Sequence, residues 1–215
     1  AGRTRAGKCV RLYSERAFYE EMLPAAVPEI QRCNLGNVIL LLKSLRVHNI
    51  LAFDLLDPPP RRHILHALKH LFILGALSPE GGLTRTGRAL VNFPLDPPLA
   101  KVLVAAQAPS SGPACLPLAL SVVALVSVGG QQMLFFSPPP DQQEEYEAAL
   151  DRLAVPDSDH LTLLNIFDLW RASGCSKEWC SENFVQHKVL ARALEVRKQL
   201  GRLSQRASTD EDRLA

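Results

Sequence analysis

RRHILHALKHLFILGALSPEGGLTRTGRALV, residues 61–91, is the stretch on which the fold turns. Ile64, Leu65, Leu68, Leu71 and Phe72 recur at helical spacing, and Gly75 stands where a left-handed helix end favours glycine. Leu77 to Thr84 then holds Glu80-Gly81-Gly82, which predicts a hairpin turn between two short strands. Thr86 is expected to cap a further helix through Val91. Upstream, Asn34 is a candidate N-cap for a helix whose stripe is Leu35, Val38, Ile39, Leu42 and Leu45, and Pro58-Pro59-Pro60 separates the two helices. Helices followed by a small glycine-containing hairpin outline a winged helix over roughly residues 30–92.

Outward from that block the pattern is helical on one side and mixed on the other. Before it, Gly7 to Tyr13 alternates apolar and polar side chains, which predicts a strand. Ser14 should cap a short helix through Met22, and Pro24 and Pro28 force an extended link. After it, Leu99, Val102, Leu103 and Ala106 mark one helix, and the mostly apolar Leu116–Val128 marks another. Thirteen residues are too few for a membrane span, which needs about 20. The run therefore reads as the buried centre of a bundle. An acidic helix is expected over Asp141–Leu153, a further one through Leu163, Ile166, Phe167 and Trp170, and a last one through Val189, Ala193, Val196, Leu200 and Leu203. The tail from Ser204 is polar and is expected to fray. The two modules meet near Phe93–Pro98.

The chain has 215 residues, is 47% hydrophobic and carries 24 Lys and Arg against 22 Asp and Glu, so its net charge of +2 selects no partner. The charge is patterned all the same. Residues 131–160 hold seven carboxylates against Arg152, while residues 171–206 hold eight bases against Glu178, Glu182 and Glu195. A basic last helix can follow phosphates, each neutralised phosphate releasing a condensed counterion. The competing reading is a solvated face whose bases pair with the acidic helix. Five cysteines (Cys9, Cys33, Cys115, Cys175, Cys180) form no CxxC pair or zinc spacing, and reduced, mostly buried thiols are expected. The sequence has no GxxxxGK[ST], GxSxG, HExxH or dinucleotide fingerprint. His63, His66 and His70 share a helical face, but no carboxylate or thiolate joins them, so no metal site is read there. The opening Ala1, with no secretory leader after it, suggests a piece of a longer intracellular protein, nuclear or cytoplasmic.

Ordered blocks along the chain resemble the C-terminal half of a DEAH-box RNA helicase of the splicing and ribosome-assembly subgroup. Ala1-Gly2-Arg3 is similar to the end of that family's QRxGRxGR motif, and Gly7-Lys8-Cys9 through Leu12-Tyr13 to the strand after it. Val27-Pro28-Glu29-Ile30-Gln31-Arg32 and Phe93-Pro94-Leu95-Asp96-Pro97 resemble its interdomain junctions. Asp159 to Ile166, Trp179 to Phe184 and Val196 to Leu200 resemble its ratchet domain. Ala6 stands where the family usually has Pro, Ser158 where it has Gly, and Leu116-Pro117 where it has acidic residues.

The resemblance implies a mainly α chain in four parts. Residues 1–29 would be the edge of a RecA-like lobe, 30–96 a winged helix, 97–203 a helical ratchet bundle and 204–215 a flexible tail. It implies part of an ATP-dependent 3′–5′ RNA helicase that lines an RNA channel and couples lobe motion to translocation. The P-loop, the acidic box and the OB-fold lie outside these residues, so the chain alone is expected to hydrolyse no ATP. In the whole enzyme ATP and Mg2+ would be cofactors, and Arg3 would act as an arginine finger on the γ-phosphate. Single-stranded RNA and glycine-rich-patch activators docking on the winged helix would be partners, and no membrane is expected. Lys188, Arg192 and Arg197 are the RNA-binding candidates, chosen on charge. His160, Trp179 and Cys180 sit in family blocks but read as core packing. Two alternatives follow. One is an inactive helicase paralogue serving as a scaffold. The other, a DNA-binding winged-helix regulator, is disfavoured because Asn34–Arg46 carries only Lys43 and Arg46 as bases.

Overall fold

The computed structural model describes residues 4–23 and 25–214, with side chains through Arg206. The helices are α1 (Glu15–Glu20), α2 (Glu29–Arg32), α3 (Gly36–Ser44), α4 (Arg61–Ile73), α5 (Arg85–Val91), α6 (Pro97–Ala106), α7 (Cys115–Ser127), α8 (Gly130–Leu134), α9 (Gln143–Leu153), α10 (Asp159–Ala172), α11 (Lys177–Glu182) and α12 (His187–Leu214). The mainly helical class is as expected, and each predicted helix is present.

The winged-helix block forms by local rules. α4 ends in a Schellman motif: Ala76 N–H donates to the Leu71 carbonyl (2.9 Å) and Gly75 N–H to that of Phe72 (2.9 Å), with Gly75 at φ +72°. The expected hairpin is reduced to one antiparallel bridge, Leu77 with Leu83, closed by Ser78 N–H on the Gly82 carbonyl (2.8 Å). The cap of α5 is Thr84, not Thr86. The Thr84 hydroxyl accepts from Gly87 N–H (3.0 Å) and donates to the Gly75 carbonyl (2.6 Å), so one side chain ties the turn to both helices. Gly87 lies against the Ala76 carbonyl and Leu83, leaving no room for a Cβ. Asn34 still satisfies an orphan donor, accepting from Gly36 N–H (2.9 Å), although the helix begins one residue later than expected.

The predicted strand at Gly7–Tyr13 does not form; these residues are irregular and exposed. A strand needs a facing edge for its N–H and C=O groups, and the only antiparallel bridges among the described residues are Leu77–Leu83 and Phe135–Val185. α1 does form, capped by Ser14 Oγ accepting from Ala17 N–H (3.1 Å).

α7 is the central helix, as its apolar run predicts. Leu120, Val123 and Ala124 join a core with Leu35, Ile39, Leu71, Leu90 and Phe93 of the winged helix and Ala100, Leu103 and Leu200 of the bundle. Leu125 joins a second core with Leu153, Ile166, Phe167, Trp170, Leu190 and Ala193. The junction near Phe93–Pro98 is therefore not an exposed linker: Phe93 and Leu95 are buried, and one apolar core runs through it. α6 starts on Pro97-Pro98, whose missing N–H groups fall where a helix needs none. Pro117 is tolerated in the first turn of α7 for the same reason. Ser158 caps α10 by accepting from Leu161 N–H (3.2 Å).

Three further expectations change. Only Cys180 is buried; Cys9 and Cys33 are exposed and Cys115 and Cys175 half-buried. His160 is exposed beside a cleft lined by Gln131, Asp157 and Asp159, and Trp179 is half-buried; the buried indole is Trp170. α12 does not stop where its apolar stripe does: it runs on to Leu214, and Ser204 is buried, its carbonyl accepting from Gln107 Nε2 (3.0 Å). No helix among the described residues is long and apolar enough to cross a membrane.

Candidate nucleic-acid interface

The bases of α12 differ in their exposure. Leu190, Ala193, Leu200 and Ser204 are buried, and they fall on one side of the helix at 100° per residue. Lys188 and Arg192, at i and i+4, lie on the opposite, exposed side. Arg197 does not join them. Nine residues from Lys188 is half a rotation, which places Arg197 at the middle of the packed face, half-buried. Its Nε donates to Ser121 Oγ on α7 (2.8 Å), and that hydroxyl donates in turn to the Pro117 carbonyl (3.1 Å). The three candidates chosen on charge thus separate into an exposed pair and a helix–helix contact.

Helical spacing adds two bases that were counted among the eight of residues 171–206 but not singled out. Arg202 and Arg206 are exposed and fall within about 40° of Lys188. Lys188, Arg192, Arg202 and Arg206 together make a stripe about 27 Å long at 1.5 Å per residue. One carboxylate, Glu195, interrupts it; the Lys198 hydrogen bond (2.8 Å) and the charges of Lys198 and Arg202 hold it below the usual carboxylate range. The signal for Arg202 and Arg206 was present in the sequence as spacing, and total charge obscured it.

The acidic helix does not neutralise this stripe. Among the described residues no ion pair links α9 with α12; Arg16–Glu20, Arg171–Asp168 and Lys198–Glu195 each lie within one helix. α9 is fixed by other means. Tyr146 meets Phe184 edge-on at 5.5 Å, and Arg152 Nη2 donates to the buried Asn183 side chain (2.8 Å), which donates to the Trp179 carbonyl (2.8 Å). Arg3 lies outside the described residues. No three His, Cys, Asp or Glu side chains converge as metal ligands among the described residues.

Residues 67–95 match the family described as helicase associated domain (HA2), winged-helix, and residues 96–163 the family described as helicase associated domain (HA2), ratchet-like. Over 206 residues, 96% of its length, the chain is 44% identical to the pre-mRNA-splicing factor ATP-dependent RNA helicase prp22 of Schizosaccharomyces pombe. The chain is thus similar to the C-terminal part of a DEAH-box RNA helicase. It spans 17% of that relative's length and carries the helicase-associated winged helix and ratchet domains. The boundary between the two matched families, at 95/96, falls beside the Asp96 N-cap of α6.

Proposed function

We propose that this chain is the C-terminal part of an ATP-dependent 3′–5′ RNA helicase acting in nuclear pre-mRNA splicing, and that it lines the RNA channel and passes nucleotide-driven lobe motion to the strand. The observation that carries this reading is the single apolar core joining α3, α4 and α5 to α6, α7 and α12. A shared core moves as one body, which is what a coupling element needs. Lys188 and Arg192 are the phosphate contacts in this reading, extended along the helix by Arg202 and Arg206. Arg197 adds to them only through the guanidinium nitrogens that its Ser121 bond leaves. Such contacts follow the backbone and read no bases, as a translocating channel requires.

No step of ATP hydrolysis is assigned to the described residues. ATP and Mg2+ belong in this proposal to the rest of the helicase, where Arg3 reaches the γ-phosphate. Glycine-rich-patch activators are the proposed protein partners of the winged helix.

The test uses the full-length helicase. Lys188→Glu with Arg192→Glu should weaken single-stranded RNA binding and flatten its salt dependence by about 0.7 per lost phosphate contact. Unchanged affinity across several salt concentrations removes them from the channel. Arg3→Ala should slow RNA-stimulated ATP turnover with the fold preserved, and wild-type turnover would refute the finger role.

A further inference from the structure

Away from α12, one surface of the winged helix has a charge pattern that its fold does not account for. α4 carries Arg61, Arg62, His63, His66, Lys69 and His70 and no carboxylate. Ile64, Ala67 and Leu71 face the core, so Arg62, His66 and Lys69 point away from it, and all three are exposed. Among the described residues none of Arg61, Arg62 or Lys69 makes an ion pair; Arg62 Nε has a long contact to His63 Nε2 (3.4 Å). A solvated helix face ordinarily mixes signs and gains from i,i+4 pairs. Arg61 and Arg62 even stand in the first turn, where the helix dipole disfavours cations. Helix stability therefore does not explain these bases.

The surroundings share the pattern. Residues 30–96 hold eight Lys and Arg against four carboxylates, and four of the six histidines. Lys69 and Phe72 line an open cleft of about 310 Å³ with Lys43, His48 and Ser78, against the turn at Gly81. Phe72 is 49% exposed, on the same helix and one turn beyond Lys69. Glu80, the carboxylate of that turn, is exposed, and hydrogen bonding from Ser78 and the backbone holds it below the usual carboxylate range.

We propose that the exposed face of α4 and the cleft beside it form a second contact for single-stranded nucleic acid, with Arg62 and Lys69 on backbone phosphates and Phe72 under a base. Cations spaced along a helix with an exposed aromatic at one end are the elements that hold an unpaired strand without reading its sequence. The inference takes RNA as the ligand from the reading above, but it stands on different residues. It also corrects where the basic helix of the winged-helix module lies: the helix next to the wing turn is α4, not Asn34–Arg46.

The test titrates the 215-residue chain into a fluorescein-labelled uridine oligomer at several salt concentrations and follows anisotropy, with circular dichroism to confirm folding. Arg62→Gln with Lys69→Gln should weaken binding and lower the slope of log K against log salt by about 1.4, roughly 0.7 for each single-strand phosphate. Phe72→Ala should weaken it roughly tenfold with the slope unchanged. Unchanged affinity and slope in the Arg62/Lys69 variant overturn this inference, whatever Lys188→Glu with Arg192→Glu does. Loss only in the Arg62/Lys69 variant removes the α12 reading and leaves this one. Displacement of the RNA by a polyaspartate peptide of equal charge would also overturn it, by making the face a dock for acidic protein.

Discussion

Leu12 and Leu71 are the same residue with opposite fates: the first is 95% exposed, the second fully buried. They represent two regions. From Thr4 to Leu23 no described residue is buried, although Val10, Leu12 and Leu23 are as apolar as the core residues further on. From Leu35 to Leu200 two cores share α7. The first region does hold local contacts: Tyr13 stacks on Phe18 at 5.9 Å, and Arg11 lies 4.9 Å over the Phe18 ring. Those contacts shape the segment without burying it. Burial needs a second element presenting a facing stripe, and within this chain only the later region has one.

That contrast can be broken experimentally, and the largest effects should fall in the second region. Leu103→Ala, at the point where winged helix and bundle share a core, should cost about 3–4 kcal/mol in chemical denaturation. A loss under about 1 kcal/mol would mean that the two modules are not joined there. Gly87→Ala should cost at least about 2 kcal/mol, because the atom in the way is the Ala76 carbonyl, a backbone group that cannot turn aside. Arg197→Ala should cost about 1–2 kcal/mol by leaving the buried Ser121 without its charged partner; no loss would return Arg197 to the surface.

Smaller effects sharpen the comparison through the thiols. Burial, with the neighbouring Cys175 thiolate as a lesser cause, pushes Cys180 up to about 11 from an ordinary 9.0. The folded chain therefore holds a proton that the unfolded chain loses between those values, so stability should be intact below pH 9 and fall as pH rises from 9 to 11. Cys180→Ala should flatten that decline in alkaline melts. At neutral pH iodoacetamide should modify Cys9 and Cys33 in the native protein and reach Cys180 only after unfolding, with peptide mass mapping as the readout. Least of all, Leu12→Ser should change the stability of this chain by less than about 0.5 kcal/mol.

The site was less legible than the fold. Helix stripes, Gly75 and the proline breaks could be read directly because each acts within a few residues of itself. The Thr84 cap could not be, since Thr84 and Thr86 are chemically equal and only the turn's pairing puts Thr84 ahead of the helix. Arg197 misled for a related reason. Its charge argued for the surface, but the hydroxyl that receives it lies 76 residues away on α7. Arg202 and Arg206 were accessible to a helical wheel, which needs only periodicity.

The amino-acid order by itself determined the helices, the central place of Leu116–Val128, the winged-helix outline and the likeness to the helicase family, because periodicity, capping and motif blocks are local or linear properties. Only the tertiary structure decided which apolar residues are buried, that one core runs through the winged-helix boundary, and which bases of α4 and α12 face outward. Those depend on what stands opposite a side chain, and that is settled when elements distant in the chain pack together.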